Sequence, residues 1–308
     1  MKLLLAFAIA FVATTTAVPA QLEKRVTKSQ LDTFALYAHY AAAAYDDNNN
    51  DKATLGDKVA CPKGHSCPLV EAHDTATLSE FSDLGDISDV TGFVAVDKTQ
   101  GVIVVAFRGT KSVLDFVVDA RFVQKDISWC TECAAHSGFW NAWVVASPTV
   151  FRAVTDARKA NPGFDLIVTG HSLGGAMATF AAQNLRQIGI DTTLYTYGAP
   201  RIGNRALAAY ISGWTGQNFR ITHGQDIVAK LPPGFLGEEH QHHIYPEFWI
   251  NTGPTEDAVS ATNVVGPLSG TRNMSGNTGS GGVFETVPHG HYFGPISASS
   301  PDGVEVAR

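Results

Sequence analysis

The sequence predicts an α/β fold built on a mainly parallel β-sheet with helices on both faces. Short β-branched runs alternate with helical patterns along the chain. One run, Val102–Phe107, is almost continuously apolar, as expected for a strand that is covered on both faces. With 308 residues and 44% hydrophobic content, the chain can bury one large core, so we expect a single domain over residues 26–308.

The first 25 residues are predicted to be removed from the mature protein. A lysine at position 2, an apolar run ending at Val12 and small residues up to position 20 are typical of a secretory signal peptide over residues 1–20. The apolar run is too short to span about 30 Å of hydrocarbon. Residues 21–25 end in a dibasic pair that resembles a protease processing site, which indicates a short propeptide. We therefore expect a secreted, extracellular protein without integral membrane association.

The chain is acidic and contains four cysteines. Its formal net charge is −7, which becomes −9 without residues 1–25, and such a surface disfavours nucleic acid and anionic membranes as partners. In an oxidising compartment the cysteine spacing predicts two local disulfides, Cys61–Cys67 and Cys130–Cys133. A zinc site is the weaker alternative, since only the second pair has metal-like spacing. We expect neither a metal nor an organic cofactor.

The elements can be assigned in order from their periodicity. Residues 27–45 place apolar side chains on one helical face, and Val90–Phe107 has the pattern of a hairpin with a turn at 97–101. Residues 139–160 are helical in pattern, and Pro148 within them predicts a kink or a break into two helices. The remaining predictions are strands at 165–169, 193–197 and 219–222, helices at 176–188 and 206–214, and a strand at 243–250 whose Pro246 favours a sheet edge.

The sequence Gly-His-Ser-Leu-Gly-Gly at 170–175 carries the clearest chemical signal. A G-x-S-x-G string is common, but here it lies between a predicted strand and a predicted helix, which is the arrangement of a nucleophile elbow. This context predicts an α/β-hydrolase fold with Ser172 as its nucleophile. Gly170 and Gly174 would keep side chains out of the tight turn, and the helix N-terminus would offer N–H groups to an oxyanion.

A serine nucleophile needs a base and an orienting acid, which follow it in the chain order serine, acid, histidine. Asp226 fits the acid because it comes just after a predicted strand and opens a loop. Asp191 precedes its strand and would lie at the wrong edge. Glu238 and Glu239 are predicted to be solvated.

The histidine cannot be chosen by local chemistry. A cluster beyond the acid could bind a metal, but neighbours so close in sequence seldom converge on one ion, so a solvated loop is favoured for His240, His242 and His243. His223 lies just before the acid. His289 and His291 flank Gly290 in one short segment, and both remain candidates for the base.

Six motifs in order resemble the fungal class 3 lipase family, the triacylglycerol lipases of filamentous fungi, over most of the mature chain. They are Phe107–Thr110, the GHSLGG sequence at 170–175, Tyr197–Asn204, Asp226 with its Pro-Pro loop, Tyr245–Ile250 and the His-x-x-Tyr-Phe-Gly pattern at 289–294. In that family two residues separate the base from Tyr-Phe, so the resemblance implies His289 and leaves His291 at a variable position. It also implies an oxyanion hole from Thr110 and from the backbone N–H of Leu173.

The family's short helical lid matches roughly Ser112–Ala120, where the apolar side chains would be costly to expose to water. A buried core helix is the alternative for this segment, whose lid residues are Ser112, Val113, Leu114, Asp115, Phe116, Val117 and Val118. No cysteines are available for a third disulfide that several members carry, which leaves the packing of residues 295–308 open. Residues 268–282 form a Gly/Ser-rich loop without assignable structure, in which Asn273 begins a glycosylation sequon.

The expected function is hydrolysis of acylglycerol esters, or of other lipid esters, at a droplet or micelle surface, through an acyl-enzyme on Ser172. Phospholipase A1 activity, restriction to mono- and diacylglycerols, and a feruloyl-type soluble esterase are the alternatives. The apolar lid segment argues against the last of these. An inactive secreted binding protein is a further alternative, which the complete set of predicted catalytic residues disfavours.

Overall fold

Helices and strands alternate along the chain, and most of the strands join one central β-sheet. The computed structural model describes residues 26–52, 54–62, 67–84, 90–110, 123–233, 241–281 and 285–297. Several predictions lie outside the described residues. They concern the signal peptide and propeptide, the lid segment, Glu238, Glu239, His240 and the end of the tail, residues 298–308.

The described helices and strands follow the predicted alternation. The helices are α1 (Lys28–Ala43), α2 (Pro68–Glu71), α3 (Ser137–Ala160), α4 (Leu173–Gln187) and α5 (Arg205–Ser212). The strands are β1 (Thr75–Leu84), β2 (Val90–Asp97), β3 (Val102–Phe107), β4 (Gln124–Asp126), β5 (Ala134–His136), β6 (Asp165–His171), β7 (Thr193–Tyr197), β8 (Asn218–His223), β9 (Glu247–Ile250) and β10 (Val264–Leu268).

Eight of the described strands form one sheet in the order β1-β2-β3-β6-β7-β8-β9-β10. Strands β3, β6, β7, β8 and β9 are parallel, whereas β1, β2 and β10 add antiparallel pairs at the two sides. The carboxyl ends of the five parallel strands therefore meet at one edge. Strands β4 and β5 form a separate two-stranded ribbon.

Strand β3 is buried on both faces, as its sequence predicts. Ile103, Val105 and Phe107 pack in the core cluster that contains α3 and α4, while the intervening residues pack in the cluster that contains α1. This division follows from the alternation of side chains along a strand. The prediction of an α/β-hydrolase fold with helices on both faces is confirmed.

Pro148 was predicted to kink the helix or to break it in two, and of these alternatives the break is wrong, because α3 is continuous from Ser137 to Ala160. A proline removes one backbone donor, which leaves the carbonyl four residues earlier without its usual partner. That carbonyl belongs to Val144, and the Ser147 hydroxyl donates to it at 3.1 Å. A side chain in the same turn thus replaces the missing donor.

The late strand is not at an edge. Strand β9 begins at Glu247, after Pro246, and lies between β8 and β10. The proline therefore precedes the hydrogen-bonded ladder instead of interrupting it. The sequence patterns do not predict β10, nor β1 at the other side of the sheet. Strand β10 ends where the Gly/Ser-rich stretch begins, and that stretch contains a short 3₁₀ turn at Asn277–Gly279.

Both predicted cysteine pairs are bonded, with Cα–Cα distances of 5.8 Å for Cys61–Cys67 and 5.2 Å for Cys130–Cys133. Part of the tail is also packed, since Ile296 is buried and its N–H donates to the Gly290 carbonyl at 2.9 Å. Among the described helices, none has the length and apolarity to cross a membrane.

Candidate active site

Ser172 lies at the turn between β6 and α4, in a strained backbone conformation with φ 56° and ψ −129°. A side chain on Gly170 would overlap the carbonyl oxygen of Gly174, and one on Gly174 would overlap the carbonyl of Phe107. The tight turn is possible because both positions are glycine. The sequence Gly-His-Ser-Leu-Gly-Gly therefore has the geometry of a nucleophile elbow.

The predicted acid and the histidine chosen from the family pattern come together, although they are 63 positions apart in the sequence. Nδ1 of His289 lies 3.0 Å and 2.9 Å from the two carboxylate oxygens of Asp226, and both residues are almost fully buried. His291 points elsewhere, with its Nδ1 3.0 Å from Oδ1 of Asp257 near the surface. Asp191 precedes β7 and lies at the opposite edge of the sheet, as predicted.

Two reactive atoms are left without a hydrogen-bond partner within the described part of the chain. They are Oγ of Ser172 and Nε2 of His289, each on a residue at most 1% exposed. Because Nδ1 donates its proton to the carboxylate, Nε2 carries a lone pair that can accept a proton. Both residues flank Tyr197–Gly198: the Ser172 N–H donates to the Tyr197 carbonyl at 2.9 Å, and the His289 ring lies against Gly198.

Both predicted oxyanion donors belong to segments that adjoin the nucleophile. Leu173 is the first residue of α4, so its N–H is at the helix N-terminus. Thr110 is half-buried and follows Gly109, whose Cα packs so closely on the elbow that a Cβ there would lie 2.9 Å from Cβ of Ser172. Residue types and positions thus agree with an oxyanion hole beside Ser172.

His171 connects the nucleophile to the base loop. Its Nε2 donates to the His289 carbonyl at 2.8 Å, so its Nδ1 accepts from the Tyr45 hydroxyl, also at 2.8 Å. Burial, and then the neighbouring His289, hold the pKa of His171 well below its ordinary value. The ring therefore stays neutral, 4.4 Å between centroids from the His289 ring.

The carboxylate of Asp226 is held by more than the histidine. The Tyr292 hydroxyl donates to Oδ2 at 2.6 Å, and the Val228 N–H donates to Oδ1 at 2.9 Å. Burial raises the pKa of Tyr292 well above its ordinary value, so this donor stays protonated. The Asn277 amide donates to the Asp226 carbonyl at 3.2 Å. Sequence reasoning assigned no role to Tyr292 or Asn277.

The prediction of a solvated loop at the histidine cluster is wrong for His242 and His243, which are both buried. His242 contacts the Thr271 hydroxyl through Nδ1 at 2.9 Å, and His243 donates from Nε2 to the Ala229 carbonyl at 2.7 Å. Their rings are thus used to join separate loops. No group of three or more metal-ligating side chains occurs in the ranges that the structure describes.

Known proteins are similar to this one along most of the chain. The profile of the family named Lipase (class 3) matches residues 104–236, and that of the lipase 3 N-terminal region matches residues 2–79. Secreted mono- and diacylglycerol lipase A of Penicillium cyclopium is 40% identical over 296 residues, which cover 95% of this chain and 94% of the relative. This chain belongs to the class 3 lipase family. Its resemblance to fungal lipases is confirmed.

Further relatives of this lipase agree. Secreted mono- and diacylglycerol lipase 1 of Fusarium solani is 35% identical over 283 residues, covering 92% of this chain and 82% of the relative. The crystal structure of a mono- and diacylglycerol lipase from Aspergillus oryzae matches with a TM-score of 0.79 and 39% identity, covering 88% of this chain and 99% of that one. The protein is accordingly an enzyme, a serine ester hydrolase of the lipase type.

Proposed function

We propose that this lipase is secreted and hydrolyses acylglycerols at a lipid–water surface, with Ser172, His289 and Asp226 as its catalytic triad. The observation that carries the assignment is the pair of buried, unpartnered atoms, Oγ of Ser172 and Nε2 of His289, beside a histidine–carboxylate contact of 2.9 Å. Buried polar groups without partners are rare in native proteins, and a catalytic role is one established reason for them.

The proposed reaction assigns one role to each of these residues. His289 accepts the Ser172 proton at Nε2 while the serine oxygen attacks the ester carbonyl, and Asp226 stabilises the resulting imidazolium through Nδ1. The N–H groups of Thr110 and Leu173 stabilise the oxyanion, and loss of one such donor costs about 3 kcal/mol of the barrier reduction. His289 then protonates the leaving alcohol. Water hydrolyses the acyl-enzyme by the same steps in reverse.

The test compares wild type with Ser172→Ala on emulsified tributyrin. We expect the rate to fall about 10⁶-fold, to the background of the assay. Ser29→Ala is the matched control, because this serine is exposed on α1. Equal rates for wild type and Ser172→Ala would show that the nucleophile is another residue.

Mono- and diacylglycerols are the proposed substrate class, supported by the names of the relatives from three fungi. A panel of tri-, di- and mono-octanoylglycerol, phosphatidylcholine and methyl ferulate decides between this class and the alternatives. We expect the partial glycerides to be hydrolysed fastest. Faster hydrolysis of phosphatidylcholine or methyl ferulate would contradict the proposal.

Action at a surface has its own test. Tributyrin hydrolysis measured across the solubility limit should rise when droplets form, since the apolar lid segment 112–120 is predicted to contact lipid. A rate that saturates below the limit, with no further rise, would remove the interfacial part of the proposal.

The proposal of secretion predicts a mature N-terminus near Val26 and a glycan on Asn273. The asparagine lies in a surface turn, where its Oδ1 accepts from the Ser275 N–H at 2.7 Å, and Met274 beside it is 64% exposed. Intact mass before and after glycosidase treatment tests this, with Asn273→Gln as the control. An unchanged mass would contradict glycosylation, and a different N-terminus would contradict the processing site.

A further inference from the structure

His223 lies at the carboxyl end of β8, just before the loop of the catalytic acid, and is completely buried. Its ring joins two segments that are far apart in sequence. Nδ1 lies 2.6 Å from the carbonyl oxygen of His291, in the loop of the base. Nε2 lies 2.9 Å from the hydroxyl of Thr252 and 3.0 Å from the carbonyl oxygen of Gly253, both just after β9. None of these contacts belongs to the triad.

The shortest of these contacts indicates the tautomer. The His291 carbonyl oxygen, 2.6 Å away, only accepts, so Nδ1 carries the proton and donates it there. The lone pair on Nε2 then accepts from the Thr252 hydroxyl, and the longer approach of Nε2 to the Gly253 carbonyl is not a hydrogen bond in this tautomer, because neither atom has a proton to donate. Burial lowers the pKa of His223 from its ordinary value, and the contacts with the His291 carbonyl, the Asp226 carboxylate and the Gly253 carbonyl oppose that shift only partly. Neutral His223 therefore donates to the loop of the base while it accepts from Thr252.

The backbone of the same residue reaches the acid. The His223 N–H donates to the Tyr292 hydroxyl at 3.1 Å, and that hydroxyl donates to Oδ2 of Asp226 at 2.6 Å. In addition, the Asp226 N–H donates to the His223 carbonyl at 3.0 Å, which closes the turn between them. One residue thus contacts the loop of the base through its ring, and the acid through its N–H and carbonyl.

We propose that His223 is a positioning residue for the triad, which fixes the distance between the base loop and the acid loop without contacting the substrate. The inference rests on the proposed function, since it concerns the proton transfer between His289 and Ser172. Its physical basis is that proton transfer tolerates little displacement: a shift of about 1 Å costs roughly 100-fold in rate. Loss of the ring would free the backbone of His291, two residues beyond the base.

Two substitutions at His223 separate positioning from mere burial. His223→Leu fills similar space but cannot donate to His291, and we expect kcat to fall about 10- to 100-fold with KM within about twofold. In His223→Asn the side-chain amide can donate from nearly the place of Nδ1. We expect this variant to recover most of the loss, to within about fivefold of wild-type kcat.

Arg186→Gln is the matched control for stability. Arg186 is also buried, and it donates to the carbonyls of Thr192 and Gln217 at 2.8 Å and 2.9 Å. It lies near the C-terminus of α4, about 21 Å along the helix from Ser172 at 1.5 Å per residue. We expect it to lower the melting temperature at least as much as His223→Leu while kcat stays within about twofold.

All variants are assayed with a soluble butyrate ester and with dioctanoylglycerol, and their melting temperatures are recorded. Thr252→Val, in a surface loop, is included because it keeps the core intact and removes only the donor to Nε2; we expect a kcat loss of about two- to fivefold. Equal losses in His223→Leu and His223→Asn would overturn the proposal. So would an equal kcat loss in Arg186→Gln, or an unchanged kcat in both His223→Leu and Thr252→Val. If turnover by the wild-type enzyme did not depend on Ser172, the proposed function would be refuted, and this inference with it.

Discussion

Gly198 is the position at which a single added methyl group should impair the triad without replacing any of its residues. It follows β7 and has a left-handed backbone conformation, with φ +57°. A Cβ at this position would lie 2.7 Å from Oδ2 of Asp226, 2.9 Å from Nδ1 of His289 and 3.0 Å from the Tyr292 hydroxyl. Gly198→Ala therefore pushes on both partners of the histidine–carboxylate contact.

The expected magnitude follows from these distances. An ordinary van der Waals contact begins at 3.4 Å, so the nearest oxygen of Asp226 must move by about 0.7 Å. A misplacement of about 1 Å can cost 100-fold in rate, which puts the loss in kcat at roughly 10- to 100-fold, or about 1.4–2.7 kcal/mol. Alanine in a left-handed conformation costs a further 1–2 kcal/mol of stability, approximately.

Gly189→Ala is the matched control, because it shares the backbone cost and lacks the collision. Gly189 has φ +82°, lies past the C-terminus of α4 and would have no atom within 4 Å of an added Cβ. For a domain of this size, about 1 kcal/mol lowers the melting temperature by roughly 2–4 °C. We expect that shift in both variants, and the loss of kcat only in Gly198→Ala.

The assay is kcat and KM for a soluble butyrate ester, together with thermal unfolding of both variants. If kcat of Gly198→Ala stayed within about threefold of that of Gly189→Ala, the close packing around Asp226 would not be what fixes the triad. KM should change little in either variant, because Gly198 contacts the catalytic pair.

Three further predictions follow from the contacts around the site. Tyr292→Phe removes a hydroxyl 2.6 Å from the Asp226 carboxylate, and kcat should fall about tenfold, since hydrogen bonds to charged groups contribute about 1.5–3 kcal/mol; an unchanged kcat would show that the other donors suffice. Glu247→Gln removes the negative charge 2.9 Å from the buried guanidinium of Arg220, which should cost about 3 kcal/mol or more in a denaturant titration, whereas a loss below about 1 kcal/mol would contradict it. Burial lowers the pKa of His136 from 6.5 to about 4. The stability that depends on its neutral form is therefore complete above pH 6.5, and about 3 kcal/mol of it is lost as the pH falls towards 4. His136→Asn keeps a capping residue for α3 and should narrow the difference in melting temperature between pH 7.5 and 4.5; the same difference in variant and wild type would refute the assignment.

The central strands could be predicted because each is buried on both faces. Burial of that kind demands a run of apolar, β-branched residues, and β3 and β6 have such runs. The outer strands β1 and β10 carry Ser, Thr, Gly or Pro between their apolar residues, and each has an irregular register with its neighbour. Their pairing depends on a partner strand, which no local pattern reports.

Residues in and around the candidate site also differ in whether the sequence predicts their surroundings. Asp226 could be predicted from chain order, because the carboxyl ends of parallel strands share one edge. The burial of His242 and His243 could not, since it depends on the loops that contain Ala229 and Thr271. A polar run has the same local pattern whether water or another loop covers it. Only the tertiary contacts decide which.

The choice between His289 and His291 shows where local chemistry ends and geometry begins. His289 lies in the short 3₁₀ helix Val287–Gly290, whereas His291 follows the helix with an extended backbone, φ −128° and ψ 102°. This change of backbone conformation lets the two histidine side chains reach different carboxylates, and only His289 reaches Asp226. Tyr292, after the extended residue, contacts the same carboxylate as His289. The two histidines have the same local pattern, so the backbone between them and the position of the acid loop decide which one becomes the base.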